Sequence, residues 1–380
     1  MRPVTFGVEE EFLLLDPVHG RPVPAAPKML RLLHGQPWPH AELMRFQFET
    51  VTRVCDSAGE LRGELTRLRR LSAEAARSCG CRLVASGVSP YGVPGLAALT
   101  DVPRYRELAR RNPALTALSG TCGCHVHVGM PSRDLGVRVL ARLRPWLATL
   151  LALSANSPLE NAHDTGWASR RYSVVTLWPT ARPPSVWDAA AAYDRAIHGL
   201  LARGAALDER SVYLLARLSP RFPTVEIRVP DVCPDVDTAV LVAVLIRALV
   251  ATEARAASAG SPVCHPSRQA IRRGLEAAAR HGLAGPAIDP FTGDPVDPWT
   301  MVSRLVTHSG NALDAFGDGG TVAQLLELLA ARGTGAQRQR AAWGRAQSPA
   351  ALIAELAATT AGRPAGAETE QTSTPAHADR

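Results

Sequence analysis

Lysine is almost absent from this sequence, and its absence narrows the choice of partners. Of the 42 lysine and arginine residues in a chain of 380, only Lys28 is a lysine. The net charge of +7 therefore rests on arginines, which alternate with acidic residues and form no basic block. This distribution argues against a nucleic-acid partner. Because Lys28 lies in no glycine-rich loop, the sequence also argues against a Walker-type nucleotide site.

Long hydrophobic runs are lacking as well. The most apolar stretch, residues 239–251 (AVLVAVLIRALVA), is interrupted by Arg247 and falls short of the roughly 20 residues that a membrane span needs. It predicts a buried helix. The first residues, MRPVTFGVEEEF, place three adjacent glutamates where a secretory signal would need an apolar run. We therefore expect a cytoplasmic protein without a membrane partner.

Disulfide bonds are not expected either. The seven cysteines are an odd number, and without a secretory signal they are expected to be reduced thiols. Two of them, Cys122 and Cys124, lie beside two histidines in the stretch CGCHVHVG, which by composition suggests a zinc site.

Helix-like and strand-like segments follow one another without a regular strand-helix-strand rhythm. This order favours an α+β fold with an antiparallel or mixed sheet. Residues 1–360 are expected to form one domain, and residues 361–380, which have almost nothing to bury, a disordered tail. Apolar periodicity predicts helices over residues 61–75, 134–153, 187–202, 236–258, 267–281, 298–314, 320–332 and 349–359. It predicts strands over residues 4–15, 43–54, 82–88, 121–130, 211–218 and 223–230.

The stretch CGCHVHVG separates its two kinds of ligand when it forms a strand. Successive side chains of a strand point to opposite faces, so His125 and His127 share one face while Cys122 and Cys124 lie on the other. The thiols are then expected to pack as small apolar side chains beside the valines. The histidines are expected to face a ligand, because the flanking glycines allow it to approach closely.

Three other segments show the same alternation. In FGVEEEF, Glu9 and Glu11 share a face and Glu10 lies opposite; in TVEIRV, Glu226 and Arg228 share a face. In the third segment, Glu49 lies on a strand with phenylalanines that form an apolar back. If these faces adjoin in one sheet, they form a concave surface lined by Glu9, Glu11, Glu49, His125, His127, Glu226 and Arg228.

So many carboxylates on one surface repel one another unless cations neutralise them. Carboxylate oxygens with an imidazole suit Mg²⁺ or Mn²⁺, and an arginine beside the metals suits an anionic phosphate. The predicted surface is therefore suited to phosphoryl transfer, in which positioning and charge neutralisation carry most of the catalysis.

These segments, taken in order, resemble a known family. The motifs GVEEEFLLLDP, CHVHVG, SANSPLENAHDTGWASRRYSVVTLWPTARPP and TVEIRVPDVCPDVDTAVLVAVLIRALV are similar to those of the bacterial carboxylate-amine ligases of the glutamate-cysteine ligase type 2 family. The match extends from about residue 4 to residue 346 and includes HGLAGPAIDPFTGDP and GTGAQRQRAAWGR. The resemblance implies a glutamine synthetase-like catalytic domain, with a concave sheet face for ATP and metals and with helices packed on the other side.

The resemblance also implies an ATP-dependent ligase with ATP and Mg²⁺ or Mn²⁺ as cofactors. In that reaction the γ-carboxylate of glutamate attacks the γ-phosphate of ATP, and the amine of cysteine then displaces phosphate to give γ-glutamylcysteine. The small-molecule substrates are accordingly ATP, glutamate, and cysteine or another amine. A homodimer is a further expectation from the resemblance.

The family's functional residues can be carried over onto matching positions. The implied metal ligands are Glu9, Glu11, Glu49, His125 and Glu226. The residues implied to contact the nucleotide or phosphate are His127, Arg228 and Arg171, of which Arg228 and Arg171 are also the candidate catalytic residues. The motif alone does not decide between Arg171 and the adjacent Arg170, or between the roles of the two histidines.

Departures from the family pattern leave the substrate open. Residues 87–91 (GVSPY) stand where many relatives have G-T-H-P-F, so a polar histidine is absent. The acceptor amine is therefore not assigned by the sequence. Two other classes of protein also stay open: a guanidino-kinase-like phosphotransferase, which moves phosphate onto nitrogen without forming an amide, and a zinc-binding structural protein built on CGCHVHVG.

Overall fold

The computed structural model describes residues 4–263 and 265–362, and an antiparallel sheet lies at its centre. The strands are β1 (Phe6–Leu15), β2 (Pro39–Ala41), β3 (Gln47–Val51), β4 (Arg82–Val84), β5 (Cys124–Gly129), β6 (Leu159–Glu160), β7 (His163–Asp164), β8 (Ala216–Leu218), β9 (Thr224–Ile227), β10 (Ala287–Ile288) and β11 (Pro295–Val296). Seven of them form one sheet in the order β2-β3-β1-β5-β9-β8, with β4 paired to β1. The pairs β6-β7 and β10-β11 form two small separate sheets.

The described residues also form fourteen α-helices. They are α1 (Ala26–Leu32), α2 (Ala58–Ser78), α3 (Pro103–Arg111), α4 (Pro113–Leu118), α5 (Arg133–Leu143), α6 (Leu147–Ser154), α7 (Arg170–Val175), α8 (Ala190–Ala202), α9 (Val236–Ser258), α10 (Arg268–His281), α11 (Pro298–Phe316), α12 (Gly319–Arg332), α13 (Gly335–Arg345) and α14 (Pro349–Thr360). The fold is therefore α+β with an antiparallel sheet, as predicted. No helix of the described residues is both long and apolar enough to cross a membrane.

Strand β1 is the centre of the sheet because it pairs along its length with three other strands. Its first half pairs with β5, its middle with β3 and its last three residues with β4, all antiparallel. The side chains of residues 12–15 are completely buried, which explains why the alternating pattern FGVEEEF ends in a continuous apolar run.

One face of the sheet packs against helices. Val8, Val126 and Ile227 on this face are at most 1% exposed and share a core with residues of α5, α6 and α9. Helix α9 begins at its N-cap Asp235, whose side chain accepts a hydrogen bond from the backbone of Thr238. All of its residues from 238 to 251 are buried, which confirms the prediction of a buried helix.

The interruption of that helix by an arginine has a structural explanation. Arg247 is 1% exposed, but its guanidinium donates hydrogen bonds to the backbone oxygens of Val4 and Asp56 and lies 3.4 Å from a carboxylate oxygen of Asp318. A buried charge is tolerated when it is paired and hydrogen-bonded. Arg247 therefore ties the N-terminal segment to α9.

Cys124 lies on the helix-packed face with Val126 and Val128, as the strand period predicts, whereas Cys122 precedes β5 and lies in another core cluster, with its sulfur 4.0 Å from Nε2 of Gln47. Cys122 and Cys124 are completely buried, and burial raises the pKa of the Cys122 thiol well above its ordinary value. The described cysteines form no disulfide bond. Among the described residues, no cysteine belongs to a group of closely spaced metal-ligand atoms. The zinc hypothesis therefore lacks its four-ligand site.

Several element predictions were wrong in detail. The strands predicted over residues 82–88 and 211–218 are only the short strands β4 and β8. The helix predicted over residues 134–153 is two helices, α5 and α6, separated by a 3₁₀ turn at Arg144–Trp146, because Pro145 has no N–H for the helical ladder. The strand predicted over 43–54 is shorter, because a turn closed by the hydrogen bond from Gln47 N to Met44 O precedes β3. Residues 39–41 form the separate strand β2 instead. Of the predicted C-terminal tail, residues 363–380 lie outside the described residues.

Candidate active site

Strand pairing brings the acidic and histidine side chains of four strands onto the face opposite the helices. In an antiparallel sheet, residues directly opposite each other point to the same side. The register therefore decides which of these side chains become neighbours. The cross-strand pairs on this face are Glu9 with His125, Glu11 with Glu49, His127 with Glu226, and Arg217 with Glu226.

Glu9 lies between the two histidines. One carboxylate oxygen is 3.3 Å from Nδ1 of His125, and the other is 3.3 Å from Nε2 of His127. Burial opposes ionisation of Glu9, but hydrogen bonds and charge interactions with the two imidazoles outweigh it and hold its pKa well below the ordinary value. Burial, assisted by the charge of Arg228, lowers the pKa of His125 to about 4. His125 is therefore neutral at physiological pH, the form in which imidazole binds a metal.

Glu226 forms ion pairs with two arginines. Arg217 donates to its two carboxylate oxygens at 2.8 and 3.2 Å, and Arg228 contacts one of them as well. Although burial acts against ionisation, these arginines lower the pKa of Glu226 strongly. Nη1 of Arg228 also lies 3.4 Å from Nδ1 of His125. A fixed cation thus stands beside the carboxylate and imidazole cluster.

The carboxylates of Glu11, Glu42 and Glu49 lie close together on the part of the face next to β3. Burial and the charge of Glu42 raise the pKa of Glu11 to about 8. Burial and the neighbouring carboxylates also raise the pKa of Glu49 well above its ordinary value. Three acids in this arrangement cannot all be ionised without a compensating cation.

The donor set fits divalent cations. The described residues contain three groups of three side chains that could each hold a cation. Within each group, one ligand atom from every side chain lies within 4.8 Å of the other two. Carboxylate oxygens with a neutral imidazole are ligands that Mg²⁺ and Mn²⁺ accept. The groups are Glu9 with Glu49 and His125, Glu9 with His127 and Glu226, and Glu11 with Glu42 and Glu49.

The face forms the floor of a cavity of about 930 Å³. All eight residues that the sequence predicted for metal, nucleotide or catalysis line this cavity. Arg171 is among them, whereas Arg170 pairs with Glu160 at 2.9 Å on another side of α7. The structure therefore places Arg171, and not Arg170, at the cavity. The roles of the eight residues remain predictions.

Several residues of the cavity were missed by the sequence analysis. Glu42 follows β2 and shares the two-residue alternation with His40, which also lines the cavity. The same strand-face argument would have found both if β2 had been recognised. Arg217 lies on β8, and only the pairing of β8 with β9 shows that it faces Glu226. Phe222 packs edge-to-face on His127, with ring centroids 5.8 Å apart.

Without divalent cations, the protein should lose stability as the pH rises from 6.5 to 8. The pKa of Glu11 is about 8 in the folded chain against an ordinary value of 4.5, so the folded state keeps a proton that the unfolded state has released. A raised folded-state pKa gives stability that is complete below the unfolded pKa and is lost as the pH rises through the folded pKa. Glu11 alone then contributes a loss of about 2 kcal/mol over this range, or roughly 2–3 °C in Tm.

Thermal melts in EDTA at several pH values measure this effect. Mg²⁺ or Mn²⁺ should raise Tm more at pH 8 than at pH 6.5, because the cation takes the place of the proton. The variant Glu11→Gln should have a flatter dependence in EDTA. A Tm that rises from pH 6.5 to pH 8 in EDTA would show that the acidic cluster is not protonated in the folded chain.

The antiparallel sheet and its acidic face together indicate the class of protein. The antiparallel sheet, with one face packed on helices and the other lined by carboxylates, imidazoles and arginines, has the fold class of glutamine synthetase-like proteins. The sequence profile of glutamate-cysteine ligase family 2 (GCS2) matches residues 5–355. The chain therefore belongs to this family, and it is an ATP-dependent ligase.

Individual relatives agree with this assignment. A Mycolicibacterium smegmatis protein provisionally named glutamate-cysteine ligase 2-3 is 42% identical over 365 residues, which cover 94% of this chain and 98% of the relative. A Salinispora tropica protein provisionally named glutamate-cysteine ligase 2 is also 42% identical over 365 residues, which cover 95% of this chain and 96% of the relative.

Solved structures show the same fold at much lower identity. The glutamate-cysteine ligase of Francisella tularensis in complex with AMP superposes with a TM-score of 0.62 at 14% identity, covering 95% of this chain and 93% of that chain. The bifunctional glutathione synthetase of Pasteurella multocida gives a TM-score of 0.66 at 15% identity, covering 94% of this chain. This chain spans about half of that bifunctional protein, 52% of its length.

Proposed function

We propose that this ligase joins the γ-carboxylate of glutamate to an amine, with cysteine as the first acceptor to test. ATP, glutamate and the amine give an amide, ADP and phosphate. In the first step a carboxylate oxygen of glutamate bonds to the γ-phosphorus of ATP while the bond to ADP breaks. In the second step the amine nitrogen bonds to the acyl carbon of γ-glutamyl phosphate, phosphate leaves, and the nitrogen gives up a proton.

The observation that carries this proposal is the distribution of charge in the cavity. Buried and half-buried carboxylates and two buried imidazoles line the floor, and two arginines, Arg228 and Arg171, line the same cavity. Such an arrangement suits a polyphosphate that is accompanied by divalent cations, because phosphoryl transfer depends on positioning and charge neutralisation. The likeness to a glutamate-cysteine ligase and the family membership support the choice of glutamate.

We propose that Mg²⁺ or Mn²⁺ is held by the predicted ligands together with Glu42, which the structure adds to them. When bound, these cations neutralise phosphate oxygens and make the γ-phosphorus easier to attack. The proposed metal-holding residues are Glu9, Glu11, Glu42, Glu49, His125 and Glu226.

The remaining polar residues orient the nucleotide and the phosphoryl group. The carboxylate of Glu226 fixes the guanidinium of Arg228, which lines the cavity and can donate to phosphate oxygens. His127 is held by a 2.9 Å contact between its Nδ1 and the hydroxyl of Thr224, and its Nε2 lies 3.3 Å from a carboxylate oxygen of Glu9. We assign His127 to the nucleotide and Arg171 to the phosphoryl or carboxylate group.

Isotope transfer tests the reaction and its route together. The purified protein is incubated with Mg²⁺, ATP, a panel of amines that includes cysteine, and glutamate carrying ¹⁸O in its γ-carboxylate. We expect ADP and amide in equal amounts, and one ¹⁸O atom in each released phosphate, because a carboxylate oxygen attacks the γ-phosphorus. Omission of glutamate and its replacement by aspartate serve as controls.

Two results would contradict the proposal. Phosphate without ¹⁸O would exclude γ-glutamyl phosphate as the intermediate. A phosphorylated amine without any amide would show that the chain is a phosphotransferase of the guanidino-kinase kind. The acceptor that gives the highest kcat/KM in the panel identifies the amine.

A further inference from the structure

Arg171 reaches the cavity from α7 along a fixed path. Its side chain is 6% exposed, and its Nη1 and Nη2 atoms donate to the backbone oxygens of Val229 and Arg228, at 3.2 Å each. Its Nε has no partner among the described residues. The guanidinium is therefore oriented by the backbone that follows β9, at residues 228 and 229.

The space for this guanidinium exists because residue 123 has no side chain. A Cβ atom added to Gly123 would lie 2.3 Å from Nη2 and 2.8 Å from Cζ of Arg171, far inside normal contact distance. The N–H of Gly123 also donates to a carboxylate oxygen of Glu11 at 2.6 Å. One glycine thus leaves room for the arginine and holds the carboxylate, so it sets their relative position.

Asp231 supplies the negative charge behind the guanidinium. It is completely buried and accepts hydrogen bonds from the hydroxyls of Ser169 and Ser157, at 2.8 and 2.7 Å, and from the backbone of Asn156 at 3.0 Å. Nη1 of Arg171 lies 3.8 Å from Asp231 Oδ1. The hydroxyl of Ser157 also accepts the backbone N–H of Arg171 at 3.1 Å. A single network therefore holds both the backbone and the side chain of Arg171.

We propose that Gly123 and Asp231 are positioning residues for Arg171 in the ligase reaction. Neither residue can contact the substrate with a side chain, because the side chain of Asp231 is completely buried and Gly123 has none. Both therefore act through Arg171. The inference rests on the proposed function, because the group that Arg171 serves is the phosphoryl or carboxylate group of that reaction.

A double-mutant cycle tests Asp231. Asp231→Asn keeps the size of the side chain and removes its charge, and it should lower kcat about 10- to 100-fold, the range typical of residues that orient a ligand through another group. KM for ATP should stay within about twofold. In the background Arg171→Ala, which is already slow, the same change should lower kcat less than about twofold further. Equal losses in the two backgrounds would show that Asp231 does not act through Arg171.

A second variant keeps the test independent of whether Asp231→Asn folds. Ser169→Ala, which removes one donor to Asp231, takes its place in the same cycle and should show the same dependence on Arg171. A loss that persists in the Arg171→Ala background would overturn the proposal here as well.

Gly123→Ala tests the space under the arginine. It should lower kcat, and a crystal structure of the variant should show the guanidinium displaced from the carbonyls of Val229 and Arg228. Gly63→Ala is the matched control, because a Cβ atom on that glycine of α2 meets nothing within 4 Å. An undisplaced guanidinium with normal kcat would overturn the proposal. The crystal structure does not depend on the reaction, so a wild-type protein without glutamate-dependent ADP release would contradict only the proposed function.

Discussion

Glu11→Gln should lower glutamate-dependent ATP turnover on the order of 10³-fold while the protein stays folded. The change keeps the volume of the side chain and its acceptor for the N–H of Gly123, but it removes a charge from the cluster with Glu42 and Glu49. A cation held by three carboxylates depends on their combined charge, because hard cations bind charged oxygen ligands best. The measurement is ADP release at saturating ATP and glutamate, with a titration of Mg²⁺ and of Mn²⁺.

Two features of the result distinguish a metal site from a structural role. The Tm of Glu11→Gln in EDTA should equal or exceed that of the wild type at pH 8, because the variant has no carboxyl group that must be kept protonated. The additional Tm gained on adding Mg²⁺ should be smaller than in the wild type. Turnover close to that of the wild type would show that Glu11 does not hold a metal that catalysis needs.

Glu10→Gln, one residue earlier, should have the opposite effect. Glu10 lies on the other face of β1, completely buried, and its carboxylate receives hydrogen bonds from Arg69 at 2.5 and 2.9 Å. Arg69 is 1% exposed and also donates to the backbone oxygens of Cys233 and Pro234. Removing one partner of a buried ion pair leaves the other charge uncompensated, which costs about 3–5 kcal/mol of unfolding free energy.

Thermal and chemical unfolding measure this loss, which corresponds to roughly 4–6 °C in Tm for a chain of this length. Well below its Tm, Glu10→Gln should keep kcat within a few-fold of the wild type, since its side chain does not line the cavity. Each of the two glutamine variants is the matched control for the other. Loss of turnover in Glu10→Gln without loss of stability would mean that the faces of β1 are assigned the wrong way round.

The strand period was sufficient to sort the residues of β5. It predicted that Cys124 packs with valines and that His125 and His127 face the other way, and both placements are observed. Cys122, which precedes β5, lies in a different core cluster from those valines. Fold class and family could also be predicted, because they depend on several motifs in order along most of the chain. These features are local, or sums of local features, so they can be recognised without knowing which strands pair.

Contacts between strands that are far apart in the sequence could not be predicted from these local features. Arg217 belongs to the site only because β8 pairs with β9 in a register that sets it opposite Glu226. Glu42 belongs to it because residues 39–41 form a strand of their own beside β3. Neither pairing can be predicted from the alternation of polar and apolar residues in its own segment, because a strand of three residues is too short to show a period.

The sequence by itself therefore determined the α+β class, the family, the faces on which the charged residues lie and the choice of chemistry, because side-chain alternation and motif order are properties of the chain. Only the tertiary structure decided which charges meet. It chose Arg171 over Arg170 for the cavity, and it placed Glu9 between two imidazoles. It also placed the guanidinium of Arg171 against Gly123 and 3.8 Å from a carboxylate oxygen of Asp231. Those outcomes depend on strand register and on space between segments far apart in the chain, which are set when the sheet and its helices pack together.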